Sequence, residues 1–163
     1  MTSMPIDANQ LNYRVVGVCI VQNHVLLHRE EKDDFWVLPG GRLHLHESSR
    51  DALVREMHEE IAIRVDVGRL LWVNENFFHY AGERWHELAL YFAMEFPADS
   101  SYRDIASDFT GKEGEITLLF RWFPLDRLDC VTLYPSFLKE GLLALPPATA
   151  HVIHIAAANA AED

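Results

Sequence analysis

The chain has 163 residues, 49% of them hydrophobic, and carries 25 Asp and Glu against 14 Lys and Arg, a formal net charge of −11. That is the length of one domain with enough apolar residues to fill a core, and its acidity excludes a non-specific nucleic-acid binder, which needs a basic footprint to meet a phosphate backbone. No run approaches the roughly 18 consecutive apolar residues of a membrane span, and Met1–Gln10 has neither a basic region nor an apolar run, so the sequence reads as soluble and cytoplasmic.

Residues 13–21 and 24–29 are β-prone runs separated by Gln22-Asn23, the pattern of a hairpin. Cys19 lies inside the first run and reads as a reduced core thiol, far from Cys130 and without metal spacing. Phe35–Leu38 is a third short run that ends at Pro39-Gly40-Gly41, a turn followed by bare backbone open to close approach. Arg29 could reach a substrate phosphate from the end of its strand, against the plainer reading of a solvated arginine. His44 and His46 alternate across Leu45 but lack a third ligand, and are expected to line a loop rather than bind metal.

Ser48 followed by Asp51 marks a helix start, and no Gly or Pro intervenes until Gly68. At about 100° per residue, Leu53, Val54, Met57 and Ile61 share one arc, and Glu56, Glu59 and Glu60 share the next. Carboxylates so close repel one another. A hard divalent cation would reverse that repulsion, and Mg²⁺ is commonly held by a few carboxylates together with substrate phosphates.

Beyond the helix, residues 65–80 and 85–96 form two long β-like runs around Ala81-Gly82-Glu83-Arg84. In the second, Leu88, Leu90, Phe92, Met94 and Phe96 alternate with Glu87, Ala89, Tyr91, Ala93 and Glu95, so one face is expected to be buried. Phe77, Phe78, Tyr80 and Trp85 gather at the tip, where rings could stack on a base. Residues 97–115 are polar and acidic, a long connection expected to be disordered or functional. The strand ITLLFRWF follows, then a turn at Pro124–Leu128 and a second helix opened by Pro135 and running through Ser136 to Leu145. Residues 1–10 and about 148–163 are expected to be peripheral or frayed, His151–Asp163 as a short helix or a tail. Strands, a helix, strands and a second helix suggest one α/β layered domain with a mixed sheet between helices.

The stretch from Gly41 to Ile63 resembles the Nudix box: Gly41, Glu47, Arg55, Glu56, Met57, Glu59, Glu60, Ala62 and Ile63 fall on its pattern. Only Ala62 departs, where the family has Gly. The box covers 23 of the 163 residues, and such identities at that spacing would coincide by chance in roughly one window in ten million. The resemblance implies a Nudix α/β/α sandwich. It also implies hydrolysis of the phosphoanhydride in a nucleoside diphosphate linked to another group, with Mg²⁺ as cofactor and Mn²⁺ able to substitute. It implies that Glu56, Glu59 and Glu60, with the Gly40 carbonyl, bind the metal, and that Arg55 pairs with Glu47. The general base is left open among Glu56, Glu59 and Glu115, with Glu113 a close competitor to Glu115. Tyr80, Trp85, Phe78 and Arg29 are the candidate substrate contacts.

The downstream tags do not choose a substrate. The proline expected for ADP-ribose pyrophosphatases is missing, and Tyr80, 17 residues after Ile63, weakly resembles the dinucleoside polyphosphate tag. Nucleoside triphosphates, nucleotide sugars and dinucleoside polyphosphates stay open, and a homodimer is allowed for. The rival reading is a Nudix-fold sensor that binds a nucleotide without cleaving it, although such proteins usually lose box carboxylates. An RNA-processing hydrolase fits the chemistry but not the charge. If Ala62 has to be left-handed, it costs about 1 kcal/mol relative to Gly; otherwise the helix runs on.

Overall fold

The structure is a computed structural model that describes residues 11–156. The expectations for residues 1–10 and 157–163 lie outside the described residues.

The order of elements is β1 (Leu11–Val18), β2 (Ile20–Val21), β3 (His24–Glu30), β4 (Gly40–Arg42), α1 (Ser49–Ile61), β5 (Asp66–Tyr80), β6 (Glu83–Glu95), β7 (Phe109–Glu113), β8 (Ile116–Pro124), α2 (Leu138–Gly141) and β9 (Ala150–Ile155). They form a mixed five-stranded sheet in the order β4-β1-β6-β5-β9 and a four-stranded antiparallel sheet in the order β2-β3-β8-β7. In the mixed sheet β1 runs parallel to β6 and β9 parallel to β5.

One core cluster packs Leu53, Met57 and Ile61 of α1 against Val15, Phe92, Met94 and Phe120. The other packs Val16, Leu27, Trp36, Trp72 and Tyr91 against Leu128 and Leu138, which lie in a 3₁₀ segment after β8 and in α2. Helical elements therefore cover the sheets from both sides, the α/β sandwich expected.

The two β-hairpins stand where the sequence puts them. Gln22 and Asn23 both take positive φ, 47° and 62°, which gives a two-residue hairpin a twist matching its strands. The residue 13–21 run, however, is broken at Cys19: β1 belongs to the mixed sheet and β2 to the other, so one apolar run staples the two sheets together. Phe35–Leu38 is not a strand; Trp36 and Val37 make isolated bridges to Leu133 and His28.

The alternation in β6 predicted one buried face, yet Ala89 and Tyr91 are as buried as Phe92 and Met94. A central strand covered by α1 on one side and by Trp72 and Phe137 on the other buries both.

Residues 97–115 are ordered through side chains that polarity alone does not reveal. Tyr102 and Phe109 lie 4.4 Å apart, Phe109 stacks on Phe120 at 5.0 Å, Trp122 Nε1 donates to the Tyr102 carbonyl at 2.9 Å, and Arg121 Nε donates to both Asp108 oxygens at 3.0 Å. Its last third is β7, paired with β8.

The second helix is four residues long rather than running to Leu145. Gly141 sits against the Trp72 ring, where a methyl group would come within 3.1 Å, so this segment serves close packing rather than helix continuity. The alanine-rich end is in part a strand: β9 zips along β5, and Thr149 Oγ1 donates to the Leu70 carbonyl at 2.8 Å. Its His-Val-Ile-His-Ile sequence carries more β-propensity than the alanines after it suggest.

Helix α1 starts at its expected cap. Ser48 Oγ accepts from the Asp51 amide at 3.2 Å and donates to Asp51 Oδ2 at 2.6 Å. It ends at Ala62, which is left-handed with φ 56° and ψ 31°. Left-handed backbone strains a side chain and suits Gly, so Ala62→Gly is expected to stabilise the protein by about 1 kcal/mol and to raise Tm by about 2–4 °C. A differential scanning calorimetry trace with an unchanged or lower Tm would show the cap to be relaxed.

Candidate active site

Helix α1 projects its acidic side chains unequally. Glu56 and Glu60 are buried with the core residues Leu53 and Met57, whereas the Glu59 side chain is 57% exposed. The helix faces β4 at Gly40–Gly41, and a methyl group on Gly41 would overlap the Glu56 carboxylate. Gly40 has φ 151°, and a methyl group there would strike the Val15 carbonyl in the neighbouring strand. The bare backbone predicted from Pro-Gly-Gly is what lets the carboxylate helix lie against the sheet edge.

Arg55 ties these parts together. Its Nε and Nη2 donate to the two oxygens of Glu47 at 2.8 and 2.9 Å, a bidentate pair, and Nη1 donates to Glu56 Oε1 at 2.7 Å and to Glu59 Oε2 at 3.2 Å. A further bond from Nη2 reaches the Arg42 carbonyl in β4 at 3.0 Å. Glu47 also accepts from the His44 amide at 3.1 Å. The Arg55 hydrogen bonds hold the Glu47 carboxyl down near 2, and Glu47 in turn raises Arg55 above its ordinary value. His44 and His46 themselves are exposed in the loop between β4 and α1.

Glu60 is the electrostatic outlier. It is 5% exposed, its Oε2 is buried without a hydrogen-bond partner, and burial pushes its carboxyl up to about 8. The positive charge of Arg14 opposes that shift, and the charges of Glu113, Glu56 and Glu59 add to it. His28 Nδ1 stands 4.0 Å from Glu60 Oε2. Burial lowers His28 to about 3, so at neutral pH the imidazole is uncharged and this contact is not an ion pair. Arg14 Nη2 donates to the Gly40 carbonyl at 3.2 Å.

Among the described residues no three His, Cys, Asp or Glu side chains converge as a ready-made cation cage. The residues present nonetheless fit one hard cation. The donor set is all oxygen, one buried carboxylate oxygen lacks any partner, and Arg55 and Arg14 already place positive charge on Glu56 and on the Gly40 carbonyl. Mg²⁺, which keeps several waters and completes its shell with substrate oxygens, does not require a closed protein cage.

The remaining predicted residues fall into two groups. Phe78 pairs with Trp85 and Tyr80 with Glu83 across the hairpin, so Phe78, Tyr80 and Trp85 share one face; Phe78 and Trp85 stack at 6.3 Å, and Arg42 lies over the Trp85 ring at 5.8 Å. Since Arg42 also lends its carbonyl to Arg55, this face joins the box directly. Phe77 belongs to the opposite face, stacked on His86 at 4.3 Å, and leaves the group of four aromatics.

Glu115 lies in the exposed β7–β8 turn, and Glu113, at the end of β7, is the one whose charge acts on Glu60. Arg29 is bound to the Glu31 and Asp33 carbonyls and lies over Trp36 at 5.2 Å. Sequence reasoning missed Arg14 and His28. Each is a polar residue in an apolar strand, Tyr-Arg-Val-Val and Leu-Leu-His-Arg, and that interruption is the signal that could have found them.

A two-sheet α/β sandwich whose edge glycines receive a helix bearing Arg55, Glu56, Glu59 and Glu60 defines the class. The model of the NUDIX domain matches residues 11–141, and the chain belongs to the Nudix hydrolase family. It is similar to YjhB of Bacillus subtilis (strain 168), described as a candidate ADP-ribose pyrophosphatase, with 30% identity over 115 residues, 70% of this chain and 50% of that protein. The chain thus matches about half the length of that curated relative. Among solved structures it resembles a Nudix hydrolase from Nitrosomonas europaea (TM-score 0.62, 18% identity, covering 93% of this chain and 83% of that one). It also resembles an ADP-ribose pyrophosphatase from Streptococcus suis 89-1591 (TM-score 0.58, 16% identity, 86% and 98%). At these identities the structural likeness speaks for the fold. No helix among the described residues is long and apolar enough to cross a membrane.

Proposed function

We propose that the protein is a Mg²⁺-dependent pyrophosphohydrolase that cleaves the phosphoanhydride of a nucleoside diphosphate linked to another group, with Mn²⁺ able to substitute. The observation that carries this reading is a pair of buried carboxylates on one helix, Glu56 against the bare backbone of Gly41 and Glu60 with an oxygen left unpaired. Arg55 compensates Glu56, but burying Glu60 with an unpaired oxygen is costly unless a cation completes the site.

Glu56, Glu59, Glu60 and the Gly40 carbonyl would hold the metal. When bound, it would neutralise charge on the transferring phosphoryl group and lower the pKa of a coordinated water. Arg55 keeps Glu56 and Glu59 in place while Glu47 anchors Arg55 to the loop. Glu59, the open carboxylate of the three, would take a proton from the attacking water, with Glu56 and Glu115 its competitors for that role. Phe78, Tyr80 and Trp85 would carry the base, on the face that Arg42 links to the box. Arg29 would contribute to phosphate binding only by leaving its carbonyl partners. The reading includes a small nucleotide substrate, a cytoplasmic location and a homodimer.

The test is phosphate-product release from nucleoside triphosphates, nucleotide sugars, ADP-ribose and dinucleoside polyphosphates, each with Mg²⁺, with Mn²⁺ and with EDTA. Cleavage of one class, abolished by EDTA, is the expected result. Saturable binding of one compound with no cleavage of any would establish a nucleotide sensor instead.

A further inference from the structure

On the face of the mixed sheet that carries Arg14, one row of polar residues has no part in the box. Glu87 lies opposite Asn12 on one side and Asn76 on the other, and Asn76 lies opposite His154. Residues directly opposite share a face, as do residues two apart in one strand. The row therefore sits between two others. Towards the box is the row of Arg14, Ala89 and Asn74; towards the hairpin tip is the stacked pair of Phe78 and Trp85. A ligand with phosphates near Arg14 and Gly40 and a ring on Trp85 would pass over it.

The chemistry of this row is one-sided. Glu87 is 7% exposed and Asn12 8%. Among the described residues the one side-chain hydrogen bond to the Glu87 carboxylate runs from Asn12 Nδ2 to Oε2 at 2.7 Å. That bond commits the Asn12 amide nitrogen, and Asn12 Oδ1, a second acceptor, is buried without a partner. Among the described residues the ion pairs to carboxylates leave Glu87 out. A nearly buried carboxylate beside an amide oxygen that has no partner among the described residues costs stability until further donors meet it. They would be satisfied by a ligand that brings two adjacent donors.

We propose that Glu87, oriented by Asn12, is the specificity-determining acceptor of the nucleoside subsite and takes a side-by-side pair of hydrogen-bond donors from the ligand. Such a pair is offered by the N1–H and amino group of guanine and by the 2′,3′-diol of a ribose. The assignment rests on the hydrolase reading for the direction in which the ligand lies. Asn12 is a positioning residue, since it acts through Glu87.

The experiment compares the full chain with Glu87→Gln and Glu87→Asp, measuring kcat and KM with Mg²⁺ for GTP, ITP, ATP, their 2′,3′-dideoxy forms and ADP-ribose. Sites built to hydrogen-bond a donor reject analogues that lack it by large factors, so a preference of at least about tenfold is expected on one axis. GTP favoured over ITP and ATP assigns the pair to guanine; loss on the dideoxy forms assigns it to the ribose. Glu87→Gln, which swaps an acceptor for a donor, should erase that preference, and Glu87→Asp, which keeps the carboxylate, should restore part of it. A merely structural Glu87 would lower all substrates alike.

A wild-type enzyme indifferent on both axes, or a Glu87→Gln variant that keeps its preference, overturns the proposal. If neither these compounds nor the nucleotide sugars and dinucleoside polyphosphates of the wider panel are cleaved, the hydrolase reading fails, and calorimetric binding of the same compounds decides the subsite. A Glu87-dependent preference in Kd upholds it, and its absence removes it.

Discussion

Glu60→Gln is expected to abolish turnover while making the metal-free protein more stable at alkaline pH. The Glu60 carboxyl, held up to about 8 by burial, is protonated in the folded protein under conditions where the unfolded chain has ionised it near 4.5. Its contribution to stability is therefore fully present below about pH 4.5 and is lost as pH rises through about 8. In EDTA the wild-type protein should weaken across that window. Gln, nearly isosteric and always neutral, has no such titration. At pH 8 the variant should be more stable than wild type by on the order of 3 kcal/mol, the loss of Arg14's attraction subtracting from this. Urea unfolding at pH 5 and pH 8 in EDTA reads the difference directly. Mg²⁺ should stabilise the wild type and not the variant, because a cation that binds only the folded state adds stability by mass action. Parallel pH profiles for the two proteins would mean that Glu60 is not a buried carboxyl under strain, and the account of the metal site would fall with it.

Gly41→Ala is the second change expected to have a large effect. The added methyl group would overlap the Glu56 carboxylate and force it, or the helix that carries it, away from β4. Since Arg55 joins Glu47, Glu56, Glu59 and the Arg42 carbonyl, displacement of Glu56 loosens a hub rather than one bond. Turnover should fall by two orders of magnitude or more, in keeping with the sensitivity of positioned groups to shifts of about 1 Å. Overpacking should cost about 1–3 kcal/mol of stability. The circular dichroism spectrum should be retained. Kinetics on the substrate found by the panel, together with a urea titration, check both. Activity within threefold of wild type would show that Glu56 need not lie against Gly41 for catalysis.

Both changes touch residues that could be named before the fold was seen, and the reason is physical. The cap at Ser48, the carboxylate arc of α1, the Gln22-Asn23 turn and the glycines at 40 and 41 each encode a short-range requirement, and short-range requirements are written in neighbouring residues. Ala62 shows the limit of such reading. The sequence marked the position as unusual, but only the backbone showed that Ala occupies the left-handed cap rather than letting the helix run on.

Elements held by distant partners read less well. Residues 97–115 are polar along their length and take their order from Tyr102, Phe109 and Asp108 meeting β8 side chains. The terminal segment reads as tail or helix until β5 offers it an edge. Glu87 lies on the strand face opposite the one expected to be buried, yet it is buried beside Asn12.

The sequence by itself determined the box, the helix that bears it and the family, because catalytic spacing along one helix is a local property. Which carboxylates are buried, which stays open to water, that Arg14 and His28 meet Glu60, and that Asn12 and Glu87 share the sheet face of Arg14 were decided only by the tertiary structure. Burial and contact depend on what the sheets and distant strands bring to each residue, and hydropathy along the chain does not record that.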